Sequence, residues 1–194
     1  MGVMSGVEAA FCRSAPWRGF ARRVVLPWAL ADVDLSGAVL EVGSGSGAMA
    51  EANLVRHPDL RLTVTDADPA MVAASRGRLS RFGTRVRVAL ADVTDLPYGS
   101  GTFDAVVSFL MLHHVVDWAD ALPEARRVLR RGGTFAGYDL TQAPIASIVH
   151  RVDRSPHRLY GVEELRTGLV EAGFKDVQVR PSHGGQLVRF AATA

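Results

Sequence analysis

The chain has 194 residues, 48% hydrophobic and 22% charged, with a formal net charge of +2. That is the size of one medium domain and the composition of a soluble globular protein. No apolar run approaches the roughly 20 residues that span a bilayer, and the N-terminus lacks the layout of a signal peptide. Cys12 is the sole cysteine, which excludes a disulfide framework and a cysteine metal cluster within one chain and points to the cytoplasm. Lys175 is the only lysine, and the arginines gather at Arg18/Arg22/Arg23, Arg76/Arg78/Arg81 and Arg126/Arg127/Arg130/Arg131. Each cluster falls in a predicted helix, where a solvated outer face is the simplest reading. Without interleaved aromatics they do not suggest a nucleic-acid partner.

Ser5-Gly6-Val7-Glu8 resembles a capping box opening a short helix. Pro16 introduces a second helix over about Trp17 to Leu30, and Asp34-Leu35-Ser36-Gly37 is a turn. Strands and helices then alternate. Ala38–Val42 reads as a strand, and Gly47–His57 as its helix, stopped by Pro58. Leu60–Asp66 alternates apolar and polar residues as a second strand. Asp68-Pro69 supplies an N-cap and a proline at the first helical position, and that helix runs to Gly83. Arg85–Ala91 and Phe103–Ser108 are strands three and four. A helix over Trp118–Arg131 closes at Gly132-Gly133, and Thr134–Asp139 is strand five. Gly161–Ala172 is a helix, and Asp176–Arg180 and Gln186–Ala192 are the last strands. Alternation implies an α/β fold: a Rossmann-like, seven-stranded, mostly parallel sheet with helices on both faces. The last two strands are joined by too short a link for a parallel crossover, so the final strand is antiparallel. The whole chain, 1–194, reads as one domain, with 1–35 a helical lid and 38–194 the core.

In open α/β sheets, ligands bind at the carboxyl ends of the strands near the switch in strand order. The first strand ends in Glu41-Val42-Gly43-Ser44-Gly45-Ser46-Gly47. Glycines there let the backbone turn sharply and a ligand lie against it. The spacing is E-x-G-x-G-x-G, whereas a dinucleotide fingerprint reads G-x-G-x-x-G. An acid at Glu41 would repel a pyrophosphate and suit a ligand with an ammonium group. Strand two ends in Asp66, strand three in Asp92, and strand five in Tyr138-Asp139. Each acid has a plainer use as well. Asp66 could cap the next helix, Asp92 could close an Asx-turn, and Glu41 could organise the glycine loop.

This run of motifs resembles the class I S-adenosylmethionine-dependent methyltransferases from about Ala38 onward. The resemblance implies that Glu41, Gly43, Ser44, Gly45 and Gly47 pack against the amino-acid part of S-adenosylmethionine. It implies that Asp66, followed by Ala67, binds the ribose hydroxyls, and that Asp92-Val93 binds the adenine edge. Thr94-Asp95-Leu96-Pro97-Tyr98 resembles the family's D-L-P-F sequence, and Phe103–Ser108 its fourth-strand motif, which places Ser108 beside the cofactor. Arg127-Val128-Leu129-Arg130-Arg131-Gly132-Gly133 resembles R-V-L-K-P-G-G, with Arg131 where proline is usual.

The implied reaction is in-line displacement at the cofactor's methyl carbon by a small-molecule nucleophile, with the protein supplying alignment. Leu112-His113-His114-Val115 resembles the family's frequent L-H-H sequence. His113, His114 and Asp139 are candidate bases if the acceptor must lose a proton. No metal is called for. Trp17, Arg18 and Phe109 are candidates for the acceptor pocket, Phe11 could join them, and Trp28 belongs in the core. Arg18 or Arg22 could pair with the cofactor carboxylate. The irregular stretch Leu140–Tyr160, with His150 and His157, could cover the ligand edge. A monomer or homodimer is expected. A nicotinamide-dependent oxidoreductase and a cofactor-binding module without catalysis are the rival readings.

Overall fold

The computed structural model describes residues 19–31, 33–142, 158–182 and 184–194. The readings placed on Ser5–Glu8, Phe11, Cys12, Trp17, Arg18, His150 and His157 lie outside them. The described chain forms β1 (Ala38–Val42), β2 (Arg61–Asp66), β3 (Val86–Leu90), β4 (Phe103–Phe109), β5 (Leu129–Leu140), β6 (Lys175–Pro181) and β7 (Leu187–Thr193). They make a seven-stranded sheet in the order β3-β2-β1-β4-β5-β7-β6. Strands β1 to β5 pair in parallel, and β7 runs antiparallel to both β5 and β6. The helices are α1 (Leu26–Ala29), α2 (Ala48–Arg56), α3 (Pro69–Leu79), α4 (Trp118–Val128) and α5 (Val162–Glu171).

Alternation along the central strands sorts side chains into two cores, one on each face. Val39 of β1 and Ala105 and Val107 of β4 join Leu26, Ala50, Leu54 and Leu79 from α1, α2 and α3. Leu40, Val42 and Val106 point the other way, onto Trp118, Leu122, Leu165 and Leu169 of α4 and α5. Glu41 shares the parity of Val39, so it faces α2. The order grows outward from β1 through β2 to β3 and from β4 to β5, so the switch lies between β1 and β4. A ligand crevice belongs at their carboxyl ends.

Gly137 shows why β4 and β5 can run side by side there. A Cβ on it would lie 1.8 Å from the Ser108 carbonyl oxygen, so any side chain would drive the strands apart.

The helix expected to reach Arg131 ends at Val128, and Arg130-Arg131-Gly132-Gly133 is extended within β5. Tertiary hydrogen bonds decide this. The amides of Gly101 and Thr102 donate to the carbonyls of Arg127 and Val128 at 3.0 and 2.8 Å, which satisfies the helix end early. Gly132 donates to Ala194, and Ala194 to Gly133, so the glycine pair is stitched to the last residue of the chain. The third basic cluster is equally committed. Arg127 pairs with Glu124 and donates to the Leu96 and Tyr98 carbonyls, while Arg130 pairs with Asp104. Arg127 ties α4 to the segment at Leu96 and Tyr98, and Arg130 ties β5 to β4, which a solvated face would not do.

Candidate cofactor cleft

A cleft opens at the predicted place. Its walls include Gly43, Gly45, Asp66, Ala67, Val93 and His114, all named from the sequence, together with Met71, Leu110, Met111 and Val115. The glycine loop is held by backbone and side-chain bonds from its neighbours. Ser44 donates its amide to the Thr65 carbonyl at 2.9 Å, and Thr65 donates its hydroxyl to the Glu41 carbonyl at 3.2 Å. Gly43 has φ +63°, and a Cβ there would lie 1.9 Å from Met111 Cγ, so the loop and the β4 wall touch only because this residue is bare. Gly47 precedes α2 in a left-handed conformation.

Helix α3 clamps the loop from outside. Ser75 donates its hydroxyl to the Gly45 carbonyl at 2.8 Å, and Arg78 donates Nε–H to the Ser46 carbonyl at 2.7 Å while pairing with Glu51. The sequence offered no signal for Ser75, and Arg78 read as a surface charge.

Asp66 accepts the Gly45 amide on Oδ2 at 2.7 Å and the Asp68 amide on Oδ1 at 2.9 Å. The Ala67 amide also bears on this carboxylate, but its two oxygens together have about four acceptor sites, so Asp66 still has capacity to offer inside the cleft. Asp68 caps α3 through the Ala70 amide, so Asp66 is spared that work. Burial raises the Asp66 pKa above its ordinary value despite these amide bonds. Asp92 does form the Asx-turn, with Oδ1 accepting from both the amide and the hydroxyl of Thr94. Its neighbour Val93, 5% exposed, is the residue that lines the cleft.

Glu41, Ser44 and Ser108 stand behind the lining. Glu41 is 1% exposed, and burial pushes its pKa up to about 8, opposed by the Ala50 amide and aided by the charge of Asp66. Its Oε2 is buried without a hydrogen-bond partner, as are the hydroxyls of Ser44 and Ser108. A buried carboxyl with an unspent oxygen beside a second acid is complementary to a cation. The donor set therefore fits a ligand bearing an ammonium or sulfonium charge and two vicinal hydroxyls, and it does not fit a pyrophosphate.

Across the cleft, the two histidines part ways. His114 lines it. His113 is 1% exposed and turns toward Asp139, donating its ring Nδ1–H to Oδ1 and its amide to Oδ2 at 3.2 Å. Burial would raise the Asp139 pKa, but His113 beside it and the bonds it accepts hold it below the ordinary value. The Tyr160 hydroxyl faces the same carboxylate, short of full hydrogen-bond geometry, and its own pKa is pushed well up by burial and by Asp139. Phe109 packs against Tyr138 with ring centroids 5.9 Å apart in the core, and the next residue, Leu110, takes the place in the wall. Trp28 packs on the core around Val39 and Leu26, beneath Arg189, whose Nη1 donates to the Trp28 carbonyl at 2.7 Å. Among the described residues no group of three metal-ligating side chains gathers, and no helix is long and apolar enough to cross a membrane.

Comparison with known proteins agrees with this geometry. The family model described as a methyltransferase domain matches residues 40–137, from β1 through most of β5. A malonyl-[acyl-carrier protein] O-methyltransferase of Geobacter sulfurreducens is 34% identical over 152 residues, 73% of this chain and 57% of that one. A ubiquinone/menaquinone biosynthesis C-methyltransferase of Paracoccus denitrificans is 32% identical over 118 residues, 60% of this chain and 47% of that one. The chain thus spans about half the length of the curated relatives it matches. Among solved structures, a methyltransferase in complex with the Haloferax volcanii Trm112 activator superposes with a TM-score of 0.78, 19% identity and 99% coverage of both chains. A Bacillus halodurans methyltransferase gives 0.74 at 19% identity, over 87% of this chain and 97% of that one. These structural likenesses show the fold, and the family model spans the stretch that carries the glycine loop and the acids Glu41, Asp66 and Asp92. This chain belongs to the class I S-adenosylmethionine-dependent methyltransferases.

Proposed function

We propose that this chain binds S-adenosylmethionine in the cleft at the ends of β1, β2 and β3 and directs its methyl group to a small-molecule nucleophile. The observation that carries the reading is Asp66, inside the cleft with an amide on each carboxylate oxygen and acceptor capacity left over. In this reading Asp66 takes the ribose hydroxyls, and Val93 and Met71 enclose the adenine, with Asp92 Oδ2 left for its amine. Gly43 and Gly45 admit the amino-acid end, and Glu41 with Ser44 supports it from behind. When bound, S-adenosylmethionine supplies an electrophilic methyl carbon on a positively charged sulfur.

His114 is the histidine in the cleft, so it is the one we assign to hold the acceptor and to take its proton on a ring nitrogen when the acceptor is a neutral acid. His113 and Asp139 are buried behind it and hold the segment in place. The named relatives methylate oxygen in one case, on a malonyl group carried by an acyl-carrier protein, and carbon in the other; for this chain the acceptor we favour is a small molecule. We read the protein as a cytoplasmic monomer or homodimer acting on such a molecule, with no nucleic-acid partner.

Calorimetry with S-adenosylhomocysteine and with NAD tests the reading. S-adenosylhomocysteine should bind and NAD should not; the reverse result overturns it. Asp66→Ala should weaken S-adenosylhomocysteine by about 2 kcal/mol, as for lost bonds to a charged acceptor. Turnover with a panel of phenols, amines and carboxylates then separates an enzyme from a binding module.

A further inference from the structure

Leu110 has φ +56°, in the left-handed region. Among the described residues only Asp176, at φ +49°, shares that feature without being glycine. Aspartate tolerates such a conformation through local hydrogen bonds, whereas a leucine Cβ collides with its own backbone there. Such strain persists only where the surroundings impose it, and it gathers at functional sites.

The surroundings of Leu110 are well defined. Its amide donates to the Tyr138 carbonyl at 2.8 Å, which continues the β4–β5 ladder one residue past the strand. The chain must then leave the sheet at once. Met111 lands on Gly43, and His113 reaches Asp139 through both amide and ring. His114 donates its amide to the Met111 carbonyl at 2.9 Å and faces the cleft. Leu110 itself lines the cleft and packs against the core that holds Val39 and Val107. The left-handed residue is the hinge from which this whole wall hangs.

We propose that Leu110 is a strained positioning residue, whose left-handed turn fixes the β4 wall of the cofactor cleft in its binding pose before any ligand arrives. The proposal rests on the cofactor reading above. A wall already ordered costs no conformational entropy on binding, whereas a wall free to move must be ordered by the ligand. The chain gives up stability at Leu110 and gains a preorganised site.

Two variants separate strain from side chain. Leu110→Ala and Leu110→Gly both remove the leucine, but only alanine keeps a Cβ and so keeps the strain. At an ordinary site glycine is the less stable of the two. Here Leu110→Gly should melt about 2–4 °C above Leu110→Ala. It should nonetheless bind S-adenosylhomocysteine about tenfold more weakly than wild type, against about threefold for Leu110→Ala. A Leu110→Gly Tm equal to or below that of Leu110→Ala overturns the strain. Equal affinities of the two variants overturn the link to binding. Wild-type protein that fails to bind S-adenosylhomocysteine overturns the functional reading itself, a result distinct from either.

Discussion

At the ends of β1 and β2, carboxylates are held by backbone amides, and the loop they organise is bare glycine. At the ends of β4 and β5, a buried histidine is held by a buried aspartate, and the chain above them is bent through a strained leucine. Both sides place an acid at a strand end, yet the acids work differently. Asp66 keeps acceptor capacity for a ligand, while Asp139 spends its oxygens on His113 and on the Leu140 amide. The β1–β2 side is therefore built to receive a ligand, and the β4–β5 side to stay still while it does.

The largest expected effect comes from breaking the stationary side. Asp139 is fully buried with His113. Asp139→Ala strands the imidazole without its partner and should cost about 3–5 kcal/mol in urea unfolding, typical of half a buried pair. A loss under about 1 kcal/mol would mean that the pair does not anchor the wall.

Glu41 tests the receptive side through pH. Its pKa is 4.5 ordinarily and about 8 in the fold, so the folded chain holds a proton that the unfolded chain has released. Stability must then fall as pH rises across that window and level off above it. Glu41→Gln should shrink the fall, leaving the smaller part due to Asp66, and should stabilise the ligand-free protein by a few kcal/mol at alkaline pH. The same variant should bind S-adenosylhomocysteine more weakly, because an amide, unlike Glu41, has no proton to release to match an ammonium charge. Unfolding curves with parallel pH dependence in the variant and the wild type would remove Glu41 from this role.

The smallest effect concerns the clamp on the loop. Ser75→Ala removes the bond to the Gly45 carbonyl. It should weaken S-adenosylhomocysteine by about 1 kcal/mol with little change in overall fold. An unchanged affinity would show that the loop holds its shape through backbone bonds alone.

The receptive side was legible because its chemistry is local in sequence. Glu41, Gly43 and Gly45 lie in one run, and Asp66 and Asp92 each end a strand whose alternation is visible. The stationary side was only partly legible. The pattern Leu112-His113-His114 marked two histidines without telling which one faces the ligand. A short turn after β4 decides that, and its direction depends on where Tyr138 and Asp139 lie in the neighbouring strand. Phe109, expected in the acceptor pocket, lies in the core and Leu110 takes the wall for the same reason. The end of α4 was misread because glycines at 132 and 133 look like a helix stop, while the actual stop is set by amides of Gly101 and Thr102, far away in the chain.

By itself, the sequence determined the alternation of strands and helices, the antiparallel closing strand and the acids at the ligand edge. Hydrophobic periodicity and glycine spacing act over a few residues, so they can be read without a fold. Only the tertiary structure decided that Ser75 and Arg78 grip the glycine loop, that His113 is buried on Asp139 while His114 meets the cleft, and that Leu110 is bent left-handed between them. Those features join residues distant in the chain, and they exist only once the sheet has brought β2, β4 and β5 into register with β1 and one another.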